Sequence, residues 1–320
     1  VVLNGVEYTN FAGNATDLEN ALKAGGNSLL LGNVALTKWI PISNANFALN
    51  GNGYAISQAS EYASSANSKI ALFDITYGNV ALSNIVFDGI QDCAIIRTVF
   101  AESSFENLVV KNGVHTLSDG QGLLRLIGKA TVKDCTFEGN NCRMVISYNY
   151  DASGDTPLVV DNCVIKDNTC SFIGAVYYAG GSSATITNNK FVGNVTNVTT
   201  NGATLYMGFT EGNVITGNLF QNNKFNTTDS SKRVSAGVHL GYATTFTGNA
   251  FVGNVLSAPN SDNNGKGNDV CASIYYTSID LSGNYWGGNA PVEDNDYFVE
   301  YPNSGNSVIV NDYLTVNPIQ

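Results

Sequence analysis

Charge is scarce in this sequence of 320 residues: Asp, Glu, Lys and Arg together supply 13% of it, about half the share of an ordinary globular protein. A long helical bundle, with its charged outer faces, is therefore disfavoured. Positive charge is the scarcer sign. With 15 Lys and Arg against 26 Asp and Glu, the net charge is −11, which argues against non-specific nucleic-acid binding. Long apolar runs are missing, so no segment is expected to span a membrane. An initiating Met and a charged-then-apolar leader are missing too. The opening "VVLNGVEYTN" and the closing "TVNPIQ" thus read as the edges of a piece of a longer protein, with any export signal or anchor expected outside it. Six cysteines in a chain of this length do not make a small disulfide scaffold. The two histidines, His115 and His239, fall far apart in the repeat described below, which speaks against a His-based zinc site. "DASGD" (151–155) and "DNNGKGND" (262–269) alternate oxygen donors without the distal Glu of a calcium loop, and read as solvated loops. No phosphate-cradling glycine loop precedes a helix. Neither a metal nor a cofactor is expected.

Asn, Gly, Ser and Thr supply the polarity instead, a mixture suited to turns and ladders of uncharged side chains. The length exceeds what one compact core usually serves. The chain is then either two domains or an elongated fold that adds core layer by layer. Internal similarity decides between them. "LSNIVFDGI" (82–90), "FENLVVKNG" (105–113), "VKDCTFEGN" (132–140), "VDNCVIKDN" (160–168), "ITNNKFVGN" (186–194), "ITGNLFQNN" (215–223), "FTGNAFVGN" (246–254) and "LSGNYWGGN" (281–289) are copies of one unit. Their large apolar position reads Phe87, Val110, Phe137, Ile165, Phe191, Phe220, Phe251 and Trp286. Three residues on stand Asn140, Asn168, Asn194, Asn223, Asn254 and Asn289. Two residues before it the column passes from Ile85 and Leu108, through Cys135 and Cys163, to Asn189, Asn218, Asn249 and Asn284.

Each copy is followed by a shorter strand whose inward residue is placed at Ile96, Leu124, Ile146, Val176, Leu205, Val238 and Ile274. Period-two alternation with β-branched and aromatic residues identifies strands. A period of about two dozen to the mid-thirties of residues is one coil of a parallel β-helix. Rungs roughly 4.8 Å apart would stack like on like, Phe on Phe inside and amide on amide at the turns. The expected fold is all-β: one parallel β-helix, a solenoid. Residues 1–28 form its N-terminal cap, with a helix over about 16–25 opened by a Thr16–Glu19 capping box and buried through Leu18, Ala21 and Leu22. Coils fill 29–289, and 290–320 form an irregular C-terminal cap with an exit strand toward a further domain.

The "FxxN" unit followed by "GA-apolar", as in Phe191 to Asn194 with "NGATL" (201–205) and Ile165 to Asn168 with "IGAV" (173–176), resembles the repeats of bacterial polymorphic outer-membrane adhesins. "LNGNGYAI" (49–56) and "GNYWGGNAP" (283–291) look more like the adhesin-like surface proteins of methanogenic archaea. The resemblance covers nearly the whole chain. It implies a right-handed parallel β-helix of the pectate-lyase-like kind, and an extracellular, cell-surface module that attaches without covalent chemistry to a glycan or to a surface protein of another cell. A polysaccharide lyase or glycoside hydrolase on the same fold and a passive stalk spacer are the alternatives.

The residue after each inward position of the shorter strand should face solvent, giving a stripe of Arg97, Arg125, Ser147, Tyr177, Tyr206, His239 and Tyr275. Tyrosines bordered by small residues can stack against sugar rings, although Tyr also suits any stacked sheet surface. Insertions concentrate at the corner before this strand, the edge that carries binding in many repeat folds, although drift in a tolerant surface loop accounts for them equally well. For catalysis the available acids are Asp119, Asp134, Asp151, Asp155, Asp161 and Asp167 and the bases Arg97, Arg125 and Arg143. No acidic column crosses the presumed outward face, so no catalytic residue is assigned. Cys135 and Cys163 share a position in adjacent rungs, as do Cys142 and Cys170. Either pair forms a disulfide or stacks as buried thiols. Asn14, Asn194, Asn197 and Asn226 begin glycosylation sequons.

Overall fold

A computed structural model describes residues 1–62, 71–116, 122–149, 156–198, 201–208, 210–227, 234–257 and 266–319. Asp119, Asp151 and Asp155 lie outside these residues, as do most of the two oxygen-rich stretches.

The chain winds as a parallel β-helix whose central coils each carry four short strands. One such coil runs Ala130–Lys133, Thr136–Glu138, Asn141–Cys142 and Met144–Asn149. Each strand pairs in parallel with its counterpart one coil away, at Leu158–Asp161, Val164–Lys166, Thr169–Cys170 and Val176–Ala179. The second strands make a continuous sheet of ten. Its ladder sets Phe87 opposite Val110, then Phe137, Ile165, Phe191, Phe220, Phe251 and Trp286, the expected column in the expected register. Ring planes in this column are nearly parallel, Phe191 to Phe220 at 4.7 Å and Phe220 to Phe251 at 5.2 Å. Successive coils thus bury the apolar faces that one coil alone would expose.

Two hydrogen-bonded asparagine ladders run inside the turns. In one, Asn168 donates to Asn194, Asn194 to Asn223 and Asn223 to Asn254, each through its side-chain nitrogen at 2.9–3.1 Å. In the other, Asn189 donates to Asn218, Asn218 to Asn249 and Asn249 to Asn284. Further toward the N-terminus Cys135 stands in for the amide, its sulfur accepting from the Leu108 backbone N–H. The ladder asparagines supply bonds, not the bend. The left-handed backbone falls on the residue before each ladder position, asparagine or cysteine: Asp134, Asn162 and Asn188 at one corner, Gly139, Asp167, Gly193 and Asn222 at the other. Only Gly, Asn and Asp adopt that conformation readily, which accounts for Asp134 and Asp167 as turn residues. Asn289 is exposed and takes no part. The place it was expected to fill belongs to Asp269, whose carboxylate accepts from Asn254 at 2.8 Å. Burial pushes Asp269 up to about 7 against that stabilising bond.

The glycines of the "GA" segments serve close approach. A Cβ at Gly174, Gly202 or Gly237 would run into the backbone carbonyl of Ala203, Ile173 or Asp269. At the N-terminal end the helix spans Ala15–Ala24 and covers the first rungs through Leu18, Ala21 and Leu22. Asn14 caps it, accepting from the Asp17 N–H at 2.9 Å. Glu19, the expected partner of Thr16 in a capping box, is held by Lys23 and Lys38 instead. At the other end Tyr297–Glu300 adds a further fourth strand, and Val308–Ile309 pairs with Ile279–Asp280.

Candidate functional site

The fourth-strand ladder places Ile96, Leu124, Ile146, Val176, Leu205 and Val238 in one inward column, as expected. The next residues, Arg97, Arg125, Ser147, Tyr177, Tyr206 and His239, therefore form one column on the other face. In the last full coil the register differs from the expectation. Val238 faces Val270, not Ile274, and His239 faces Cys271, not Tyr275. Val270, Ala272 and Ile274 all point inward, so alternation alone cannot distinguish registers four residues apart. Tyr275 lies beyond the end of the strand Val270–Ser273.

The column is also less exposed than expected. Ser147, Tyr206, His239 and Cys271 are buried, and Arg97, Arg125 and Tyr177 are half-buried. Arg97 is engaged by Asp74 in the preceding coil at 2.6 Å. Burial raises the Tyr177 hydroxyl above its ordinary value, keeping it protonated at neutral pH. Arg125 stands three coils from Tyr206, roughly 14 Å at the rung spacing, too far to share one small ligand group.

The C-terminal end of the column does converge. Tyr177 packs on Tyr206 at 5.8 Å, and the Tyr206 ring stacks on the His239 imidazole at 4.5 Å with 11° between planes. Beyond the strand, Tyr276 stacks on Tyr242 at 4.9 Å. Tyr275 sits edge-on to Tyr276 at 4.6 Å and to Tyr301 at 5.0 Å. Five of these rings bound a cavity of about 390 Å³, with Tyr206 and His239 on its inner wall and Tyr275, Tyr276 and Tyr301 at its mouth. Tyr275 and Tyr276 are 54% and 62% exposed, leaving ring faces and edges for a ligand. Register thus separates Tyr275 from the stripe, while the fold returns it to the same cavity.

At this wall His239 gathers with Glu300, which also lines the cavity, and with Cys271 behind them; the three come from successive coils and all are buried. His239 Nε2 lies 3.5 Å from Glu300 Oε2. The repeat pattern does not reveal this trio, because a register with Ile274 opposite Val238 leaves Cys271 in the corner loop. A larger cavity, about 670 Å³, opens over the first strands near the N-terminus, between Asn46, Asn79, Glu102 and Lys129. It offers small and polar edges and gathers none of the stripe residues.

Among the acids, Asp161 accepts from Thr187 and Asn188, and Asp134 and Asp167 hold turns. Arg143 lies over the Phe172 ring at 4.4 Å. These are structural engagements. All six cysteines are buried and none is joined in a disulfide. Cys142 stands opposite Cys170 in the third-strand ladder, and the Cys170 contact together with burial raises the Cys142 thiol well above its ordinary value. Cys163 is raised in the same way by Cys135. Of the sequons, Asn194 is fully buried and its amide nitrogen donates to Ile165 O and Asn223 Oδ1, so a glycan there is incompatible with this fold. Asn14 caps the helix. Asn226 donates to Asn197 at 2.8 Å on the surface, and the third residues of their sequons lie outside the described residues.

No family model and no curated protein matches this sequence. A solved structure described as "L. reuters 100-23 SRRP" aligns over 95% of this chain and 99% of its own, with 13% identity and a TM-score of 0.39. No helix among the described residues is long and apolar enough to cross a membrane.

Proposed function

We propose that this chain is an extracellular, adhesin-like module of a cell surface, and that it binds a glycan without covalent chemistry in the tyrosine-lined cavity. The observation that carries the reading is the exposure of Tyr275 and Tyr276 at the mouth of a cavity of about 390 Å³. Sugar rings present apolar C–H faces that pack on aromatic rings, while the hydroxyl groups around them take hydrogen bonds. The wall supplies both kinds of contact, ring faces from the tyrosines and polar atoms from Ser273 and Glu300. Glu300 is the one carboxylate among the described lining residues, whereas glycoside hydrolysis uses a pair flanking the bond. Binding therefore fits the cavity better than catalysis does. A surface setting draws support from the resemblance of "GNYWGGNAP" (283–291) to the adhesin-like proteins of methanogenic archaea.

A glycan array probed with the wild-type protein and with Tyr275→Ala/Tyr276→Ala tests this. Each exposed stacking ring contributes about 1 kcal/mol, so the double variant should weaken binding roughly 10- to 30-fold. Arg97→Ala, remote from the cavity, should leave it unchanged. Wild-type protein that binds no glycan, or binding untouched by loss of both rings, would overturn the proposal. Release of reducing or unsaturated ends from a polysaccharide would favour the enzyme instead.

A further inference from the structure

We propose that His239, Cys271 and Glu300 form a three-ligand site for one zinc-class divalent cation, with its fourth position open to the cavity. His239 projects from the strand Val238–Leu240, and Cys271 stands directly opposite it on Val270–Ser273. Glu300 ends the strand Tyr297–Glu300, in register with Ser273 and on the same face as Cys271. Stacking three coils therefore collects an imidazole, a thiol and a carboxylate from residues far apart in sequence. They are 5%, 0% and 6% exposed.

The geometry suits a tetrahedral ion. Zinc bonds of about 2.0–2.1 Å to nitrogen and oxygen and 2.3 Å to sulfur set neighbouring ligand atoms roughly 3.4–3.6 Å apart. The separation of His239 Nε2 and Glu300 Oε2 is 3.5 Å. One ligand atom from each of the three lies within 4.8 Å of the others, so side-chain rotations that close these separations by no more than about 1.4 Å bring them to bonding distance.

The chemistry selects the ion. Thiolate and imidazole suit zinc and its neighbours in the first transition row, and not calcium or magnesium, which take oxygen shells. On binding, the Cys271 thiol releases its proton to solvent, His239 enters as neutral imidazole and Glu300 as carboxylate. The dication then meets two negative charges, and the buried site becomes electrically neutral. A buried carboxylate beside one imidazole is otherwise a costly arrangement. His239 and Glu300 also line the cavity, whereas Cys271 lies behind it, leaving a coordination position for water or an incoming oxygen donor. The site shares His239 and Glu300 with the glycan cavity but does not rest on glycan binding, since the metal alone is the probe.

The test is titration of chelator-stripped, reduced protein with ZnCl₂ and, in parallel, CoCl₂. One equivalent of either should bind. The cobalt complex should show tetrahedral visible absorption and a near-ultraviolet thiolate-to-cobalt band. Cys271→Ser should abolish that band, and His239→Ala and Glu300→Gln should weaken zinc binding by about 100-fold or more. MgCl₂ should neither bind nor compete. Alkylation of the wild type guards against variants that fail to fold: under partial denaturation, zinc should slow labelling of Cys271 and leave Cys93 unaffected. Absence of stoichiometric binding, or a thiolate band that survives in Cys271→Ser, would overturn the site. Loss of glycan binding in the tyrosine variants with zinc binding intact would bear on the cavity alone.

Discussion

Replacing Asn194 by Ala removes one rung of an internal ladder, and the structure sets the size of the effect. The Asn194 side chain makes four hydrogen bonds and is fully buried. Its oxygen accepts from the backbone and side-chain nitrogens of Asn168, and its nitrogen donates to Ile165 O and Asn223 Oδ1. Alanine leaves the Asn168 backbone N–H and the Ile165 carbonyl without these partners. Asn168 Nδ2 keeps Phe137 O, and Asn223 Oδ1 keeps the Asn194 backbone N–H. One buried N–H left unpaired at about 1–3 kcal/mol, the lost bond to the Ile165 carbonyl at about 1 kcal/mol and a small cavity give a loss of about 2–5 kcal/mol. Asn289→Ala is the control: the residue ends the same sequence motif but is exposed, so its cost should stay within about 0.5 kcal/mol. Guanidinium unfolding followed by circular dichroism reads both. Equal midpoints for the two variants would refute the ladder as a source of stability. Asn194→Asp should be at least as damaging at neutral pH, because it turns two donors into acceptors facing other acceptors, and should partly recover on acidification.

Phe220→Ala takes out a ring held between Phe191 at 4.7 Å and Phe251 at 5.2 Å, and should cost about 3–5 kcal/mol by the same measurement. A cost below that of an exposed Phe100→Ala would contradict the stacked core. The raised thiols of Cys142 and Cys163 predict a pH dependence. An unfolded cysteine ionises near about 8.5, whereas these stay protonated in the fold, so above that point the native state holds more protons than the unfolded one. Their contribution is then complete below about pH 8 and lost as pH rises further. The melting temperature should fall between pH 8 and 10, and less steeply in Cys142→Ala/Cys170→Ala; parallel curves would count against the assignment.

Much of the fold was legible because a solenoid repeats its physics. Each coil stacks on its neighbour, so one residue type recurs at one position, and the Phe, Asn and Cys columns appear in the sequence as they appear in space. The helix, its buried face and the asparagine ladders follow from local pattern. The N-cap was legible only in part: Asn14 and Thr16 are both good capping residues, and packing of Ala15–Ala24 on the first rungs chose Asn14. The exposure of the Tyr and Arg stripe was not legible. Whether an outward residue meets water depends on what folds over it, and neighbouring segments cover Tyr206 and His239.

The repeat pattern alone determined a parallel β-helix, its inward columns and the chemistry of its turns, because period-two alternation and like-on-like stacking are written residue by residue. Tertiary structure decided where the last coil rejoins the sheet. Val270, Ala272 and Ile274 satisfy the inward face equally, and a corner loop tolerates any length at little entropic cost. The choice of Val270 brings Cys271 opposite His239 and within reach of Glu300. It also releases Tyr275 to the mouth of the cavity.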